Sequence, residues 1–485
     1  MNSLPRSQKV YQYWGICHAF WKRQPVRLKV LCQDLYIVQG AKDVLGLFRQ
    51  RSQSTLFVQR LVLENAFLLP KAATRLYLQD NSGPDAKPFA GSMVRHHNRV
   101  EFHARISQQR LLLGSGQSSL FRRLFSNITM RLSSLEIGQE WENVSDLLDV
   151  FKSNLTAATV DSLAGPALLQ RHPSLVKDIW TIDKNIIGLL LKMPRFMNPK
   201  AHQARDRALE AVQDWQAWAR QNFTPDAVDE EVNDPFWGSS FFRERQELFL
   251  AMDGFSYDAI ASEDLSFIWS ANTNAVVAAF WLSLEAFRDA ELLKAVREEV
   301  NSCMQLGPDG QPLFDVPKLI RQPLLQAMFA ENLRLRVHGF LVRRPREDMQ
   351  INKWTIPRHH WCIASSTPAS MDPDFWCTGN SSGHPVDQFW PGRFLQKDPE
   401  SNALVFSLAG TEGNWVPFGG GAHACPGRIL TKRANILALA VMVTLYDCEV
   451  LASDEELALN SGTYPFGSIP PRGNVPARIR RRAMI

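Results

Sequence analysis

The stretch richest in chemistry is Phe418-Gly-Gly-Gly-Ala-His-Ala-Cys425-Pro-Gly427-Arg428. Three consecutive glycines permit backbone conformations closed to other residues and let the chain pass close to a flat ligand. Cys425 stands before Pro426, a residue favoured at the first position of a helix, so a helix is expected to begin there. A cysteine at that point turns its sulfur toward free backbone N–H groups and the positive helix end, and both favour the thiolate. A thiolate is a metal ligand or a nucleophile. The plainer alternative is a structural cysteine beside a Gly-rich turn. The glycines, the Phe and the helix start together argue against it.

Other candidates lie upstream. Glu331 and Arg334 are three apart, on one helix face, and can pair. Arg393 sits in the segment FWPGRFL, and Arg343 and Arg344 end the strand-like run FLVRR. Ser270-Ala-Asn-Thr273-Asn274 lies in FIWSANTNAVVAAFW, a stretch almost free of charge. An amide there can donate and accept hydrogen bonds and hold a water. It cannot supply a proton as an acid does. The histidine pairs His96-His97 and His359-His360 are adjacent and do not converge on one zinc, and HExxH is absent.

FGGGAHACPG resembles the haem-binding loop of the cytochrome P450 family, whose pattern is Phe-x-x-Gly-x-Arg/His-x-Cys-x-Gly. The match puts Phe418, Gly421, His423, Cys425 and Gly427 on the family positions. The resemblance implies that Cys425 is the axial thiolate ligand of haem iron, donating electron density that favours O–O cleavage. It implies that His423, where the family usually has Arg, meets a haem propionate. The family's ExxR helix corresponds to Glu331 and Arg334, which join an Arg in a loop like FWPGRFL, here Arg393, in a structural network. A family Arg twelve residues after the Glu commonly reaches a propionate, which selects Arg343, with Arg344 as its adjacent rival. The propionate-binding helix of the N-terminal half should lie near residues 93 to 110, where His97, Arg99 and His103 are possible contacts. The usual Trp-x-x-x-Arg is absent there.

Family monooxygenases usually carry Ala/Gly-Gly-x-Asp/Glu-Thr on the long helix over the haem. Alignment puts Thr273 on the acid position and Asn274 on the alcohol position, and both are candidate catalytic residues. A one-residue shift would put Thr273 on the alcohol position instead. ANTNAVVAAFW is similar to the branch containing sterol 7α-hydroxylase and prostacyclin synthase, which has Asn in place of Thr and a Phe-Trp a few residues on. One member of that branch hydroxylates with O2 and another isomerises an endoperoxide without it. The reaction subtype therefore stays open.

These residues need elements to position them. Residues 27 to 47 read as a short strand and then a helix, with Gly40 at the break. Residues 105 to 225 read mainly as helices, from apolar residues at three- and four-residue spacing. From Tyr257 to about Cys303 runs a long helical stretch without Pro or Gly, buried in its middle. Pro323 marks a kink or the start of the next helix. After Gly339 the segments FLVRR, MQINKWTI and HWCIASS alternate like strands, and Met371 to Phe418 is loop-like. The expected architecture is mainly α with a minor β part.

Composition sets the bounds. The chain has 485 residues, 45% of them apolar and 21% charged, with a net charge of +5. Those are globular values, not those of a disordered chain. At ~150 residues per domain the length suggests roughly three domains. The resemblance replaces that with one large haem-enclosing domain over residues 1–485. The 7 cysteines are scattered, without a CxxC pair, which fits a reducing compartment. Sequons begin at Asn127, Asn143, Asn154 and Asn380, with nothing else to suggest secretion. The longest apolar run, Ile436 to Tyr446, is far short of the ~20 residues of a spanning helix and suits a buried one. The basic tail Arg478 to Arg482 reads as a solvated C-terminus rather than a nucleic-acid site.

The resemblance implies a monomeric haem-thiolate monooxygenase with haem b. Electrons would come from NADPH through NADPH–cytochrome P450 reductase. One oxygen of O2 would enter a lipophilic small molecule and the other would leave as water. The substrate would lie against Ala271 to Ala278 in a largely hydrophobic pocket, where Ala271, Ala275 and Ala278 leave room. FGSIPPRGNVPARIRRR is similar to the C-termini of fungal members that tailor terpenoids, steroids or polyketides, so a secondary-metabolite intermediate is the expected substrate. The alternatives are an isomerase or dehydratase acting on a peroxide without external electrons, and a haem sensor without turnover. Relatives normally begin with a membrane anchor and a Pro-rich hinge, which this N-terminus lacks. The expected location is the cytoplasmic side of the endoplasmic reticulum, by peripheral association. A shortened form of a longer gene product is the other reading of that N-terminus.

Overall fold

A computed structural model describes residues 25–30, 33–114, 117–231, 233–308, 310–463 and 466–483. The N-terminal segment read above for an anchor, with Cys17, and Cys32 lie outside them.

Helices carry the frame. The longest, Tyr257–Arg288, starts at Ser256, whose hydroxyl accepts from the Ala259 amide at 3.4 Å. It packs against Leu147–Ala164, Pro199–Asn222, Pro323–Arg336 and Arg428–Leu445. Neighbours on so many sides require apolar residues on most faces, and Val276 to Phe287 are all buried. The helix has the length and apolarity to cross a membrane, but it forms the centre of the largest hydrophobic cluster. The apolar run Ile436 to Tyr446 is buried against it.

The expected continuous stretch from Tyr257 to Cys303 is two helices. Asp289 adopts an extended conformation, and its carboxylate accepts from the Leu292 amide at 3.0 Å, capping Ala290–Asn301. An Asp that competes for backbone donors breaks a helix without Pro or Gly. Pro323 is the first residue of Pro323–Arg336, so it starts the helix rather than kinking it. The Glu299 carboxylate takes the Leu324 and Leu325 amides at 3.0 Å each, where a cap would otherwise serve.

The main sheet is small and mixed. The expected single strand before Gly40 is a pair, Val26–Val30 and Gln33–Val38, followed by the helix Ala41–Arg49. Trp361–Ser365 pairs parallel with Gln33–Val38 and antiparallel with Val337–Pro345. Val337–Pro345 also pairs with Gln53–Ser54 and Phe466–Ser468. Residues 371–418 are less loop-like than expected. They include the turns Pro373–Trp376 and Pro391–Phe394 and the hairpin Leu395–Lys397 with Leu404–Phe406. Trp376 and Phe394 are buried there in a small core of their own.

The basic tail is ordered as well as solvated. Ala477–Arg481 is a strand between Tyr446–Val450 and Glu142–Val144. Arg478 pairs with Glu449 and Arg480 with Asp447, with both arginine side chains still more than two-fifths exposed.

Candidate active site

The cysteine loop is closed by its own backbone. The Cys425 amide donates to the Phe418 carbonyl at 3.0 Å, and the Phe418 ring lies edge-on to Trp415 at 6.2 Å. The Trp415 indole donates to the Ala330 carbonyl at 3.0 Å, which ties the loop to the helix bearing Glu331. Gly421 has φ 65, and a side chain there would strike the Phe48 carbonyl at 2.2 Å. The helix Ala41–Arg49 thus lies directly on the glycines, an approach only Gly permits.

The helix after Cys425 begins at Arg428, with Gly427 as its cap, and not at Pro426. Pro426 and Gly427 instead form a turn that carries the Gly427 and Arg428 amides around the sulfur. The sulfur is solvent-accessible yet ringed by protein. Burial therefore pushes the Cys425 thiol up, against those two amides and the Arg428 charge. The expected preference for thiolate is not met by the protein alone. A metal cation at the sulfur would supply the missing opposite charge.

Beside this loop opens a cavity of about 380 Å³, walled by Ala422, His423, Ala424 and Pro426, by Arg343, and by the long helix through Ser266 and Ser270. Two larger grooves, about 770 Å³ beside Arg344 and about 1010 Å³ beside Trp180, lack the cysteine loop. The strand explains the choice between the two arginines. Neighbours on a strand point to opposite faces. Arg343 is buried at the cavity, whereas Arg344 turns away and donates to the His359 carbonyl at 3.1 Å.

Arg343 Nε and His423 Nε2 are buried without a hydrogen-bond partner. Burial lowers Arg343 to about 10. Burial, then the Arg343 charge, lowers His423 to about 4, and His423 Nδ1 lies 3.4 Å from the Thr55 hydroxyl. Two donors held without an acceptor at one cavity fit an incoming carboxylate. With Cys425 accessible alongside and side-chain-free glycines packed behind, the residues present fit a haem.

The N-terminal contacts fall differently. Arg99 is buried and spent on the Ser82 hydroxyl and on the carbonyls of Gly83, Asp85 and Ala86. His97 lies 3.4 Å from Asp253, and His103 Nε2 lies 2.8 Å from the His96 carbonyl. None of the three walls the cavity; Arg105 and Glu101 do. Sequence reasoning passed over both. Their i,i+4 spacing on the helix Val100–Leu113 is that of the missing Trp-x-x-x-Arg, with Glu in the aromatic's place.

Glu101 lies 3.2 Å from Arg346, with its Oε1 buried and unpartnered. Burial pushes Glu101 up from 4.5 to about 7. Between those values the folded protein keeps a proton that the unfolded chain has released, so stability falls as pH rises through that window. Glu101→Gln removes the titration. Thermal midpoints at pH 4.5 and pH 7.5 should therefore fall less in the variant than in the parent. Equal falls would show that Glu101 does not titrate as its burial implies.

On the long helix, exposure recurs at Ser266, Ser270 and Asn274, one face at four-residue spacing. Asn274 Oδ1 accepts from the Ser468 amide at 2.8 Å, leaving Nδ2 as a donor. A side chain at Gly467 would strike that oxygen at 2.1 Å. Thr273, also expected at the site, is buried; one residue is about 100° of helix, so it cannot share the open face. Ala278 is in the core and Ala271 packs among other helices. The most exposed positions are thus Ser270 and Asn274, with Ala271 and Ala275 half-buried beside them, so the face is more polar than expected.

Glu331 is fully buried and holds three partners. Arg334 donates to it at 2.6 and 2.8 Å, Arg393 at 3.2 Å and the Trp390 amide at 3.0 Å. Arg334 also donates to the Ser370 carbonyl at 2.8 Å, and Arg393 to those of Trp376, His384 and Pro385. The neighbouring Asn332 donates to the Ala278 carbonyl at 2.8 Å, joining this network to the long helix.

Comparison with known proteins agrees with this arrangement. The family described as Cytochrome P450 matches residues 175–476. The chain is 32% identical, over all its length and 87% of the relative's, to cytochrome P450 monooxygenase fsoE of Humicola fuscoatra. It is 23% identical, over 60% of its length and 56% of the relative's, to cholesterol 7-alpha-monooxygenase of Cricetulus griseus. Its fold is similar to that of the retinoic-acid-bound cyanobacterial CYP120A1, with a TM-score of 0.66 at 18% identity, over 94% of this chain and 92% of that one. With the family match extending over most of the chain and a relative alike along its whole length, the chain belongs to the cytochrome P450 family.

Proposed function

We propose that the chain is a haem-thiolate monooxygenase that oxidises a lipophilic small molecule, a terpenoid, steroid-like or polyketide intermediate of fungal secondary metabolism. The observation that carries the reading is one cavity between the loop that bears the accessible Cys425 and the long helix, with Arg343 Nε and His423 Nε2 buried without a partner at its wall. The fungal source of the full-length relative supports the substrate class.

Cys425 would be the haem ligand. Arg343 and His423, with Arg105 beside them, would hold its carboxylates. Phe418, Gly421 and Gly427 shape the loop around the sulfur. When bound, haem supplies activation of dioxygen, with electrons from NADPH through a reductase. Asn274 carries the polar function of the helix. Its Oδ1 is fixed by the Ser468 amide, which leaves Nδ2 as a donor able to hold a water. An amide does not ionise, so a proton reaching the site must arrive through such a water. Ser270, one turn earlier, extends that polar line.

Incubation with 18O2, NADPH and a reductase tests the reading. One labelled oxygen per product molecule is expected. A product formed without label and without NADPH would replace the monooxygenase with an isomerase.

A further inference from the structure

The cavity has a second polar end. Tyr77, Arg245 and Glu263 wall it, brought together from three helices. The Tyr77 hydroxyl donates to Glu263 Oε1. Arg245 donates to Asp264 at 2.8 Å and to the Ser107 hydroxyl at 3.0 Å, and it lies 3.6 Å from Glu263. Phe249 and Phe241 cover its guanidinium at 4.6 and 5.2 Å.

Charge makes this arrangement unusual. One guanidinium faces two carboxylates, and Asp264 is the close partner, also taking the Gln216 amide at 2.8 Å. Arg245 is therefore matched without Glu263. Glu263 has only a 3.6 Å share of that guanidinium, and a buried carboxylate so weakly paired is costly where apolar packing would be more stable. Burial pushes Glu263 up, as that cost requires. Glu263 also walls the cavity beside Ser266 and Ser270, and Asn274 continues that side of the long helix at helical spacing. Eleven residues of helix separate it from Asn274, roughly 16 Å at 1.5 Å per residue.

We infer that Glu263, with Tyr77, is a specificity-determining pair that accepts a hydrogen bond from a hydroxyl at the far end of an otherwise lipophilic substrate. The inference rests on the proposed monooxygenase reading and adds to it. A hydroxyl fits better than an ammonium, because Arg245 already places a positive charge 3.6 Å from the acceptor. The substrate would then be an elongated alcohol, held at one end by this pair and extending along the helix toward Asn274, roughly 16 Å away.

The test uses haem-loaded protein and the pair 1-dodecanol and n-dodecane, whose extended length suits that separation. Binding is followed by quenching of tryptophan fluorescence, since Trp269 lies on the same helix between the two ends, and by the haem absorption shift. The parent should bind the alcohol about 5-fold more tightly than the alkane, the scale of one net hydrogen bond. Glu263→Gln and Tyr77→Phe should each bring that ratio most of the way to unity, with alkane affinity unchanged. Equal affinity for both probes in the parent, binding of neither, or a ratio unmoved in both variants would overturn the inference. Tighter binding of dodecylamine than of dodecanol would overturn the choice of hydroxyl. The carbon monoxide difference spectrum of the same samples reports the haem-thiolate reading separately. A normal spectrum with no alcohol preference sinks the inference alone.

Discussion

Cys425→Ala should abolish the red-shifted absorption band that the reduced protein gives with carbon monoxide. Thiolate ligation is what moves that band, and among the described residues no other cysteine is placed at the cavity. Cys303, Cys362 and Cys448 are buried elsewhere, and Cys377 is held at the His384 carbonyl, 3.3 Å away. Haem affinity should fall by at least ~10²-fold, because even the outer partners of metal ligands are commonly worth 10–100-fold. Turnover should reach background. The fold should survive, since the loop closes through the Cys425 backbone amide and the Phe418 carbonyl, which alanine keeps. A variant that retained the shifted band would sink the ligand assignment.

Glu331→Ala should be the most damaging substitution away from the cysteine loop. The side chains of Glu331, Arg334 and Arg393 are at most 1% exposed. Removing the acid leaves two buried guanidiniums without a carboxylate. Breaking a buried pair in this way costs about 3–5 kcal/mol, out of a total stability of about 5–15 kcal/mol. The network also anchors Trp390 and holds the helix that carries Trp415 and its loop. The expected result is a sharply lower urea midpoint and little haem-loaded protein. Glu331→Gln should fall between, keeping acceptor geometry without charge. Asp454→Ala, which breaks an exposed pair with Arg288, is the control and should cost no more than about 1 kcal/mol. If Glu331→Ala unfolds at the parent's urea concentration, the network is not what holds this part of the fold.

Much of this was legible in the sequence because it is local. The loop from Phe418 to Gly427 carries its own logic: glycines for close approach, a cysteine, and a helix start. Even so, the start lies at Arg428 and not Pro426, because the first amides turn toward the sulfur instead of entering the helix. The break at Asp289 was missed for a related reason. Its cap is a side-chain hydrogen bond, which leaves no Pro or Gly to mark it. The pairing of Glu331 with Arg334 follows from three-residue spacing. Its burial, which decides its energetic weight, does not.

What the sequence by itself determined is the chemistry: a cysteine loop, an acid–arginine helix and a polar Asn-Thr-Asn run in the charge-free middle of the long helix. Only the tertiary structure decided which residues share the cavity. The long helix is apolar on most faces, so its periodicity cannot say which face is left open. Packing left Ser266, Ser270 and Asn274 open and buried Thr273 and Ala278. The pairing of Val337–Pro345 in the sheet turned Arg343 inward and Arg344 outward. Tyr77 and Glu263 meet across 186 residues, a contact that no local pattern encodes, because it depends on how separate helices are stacked.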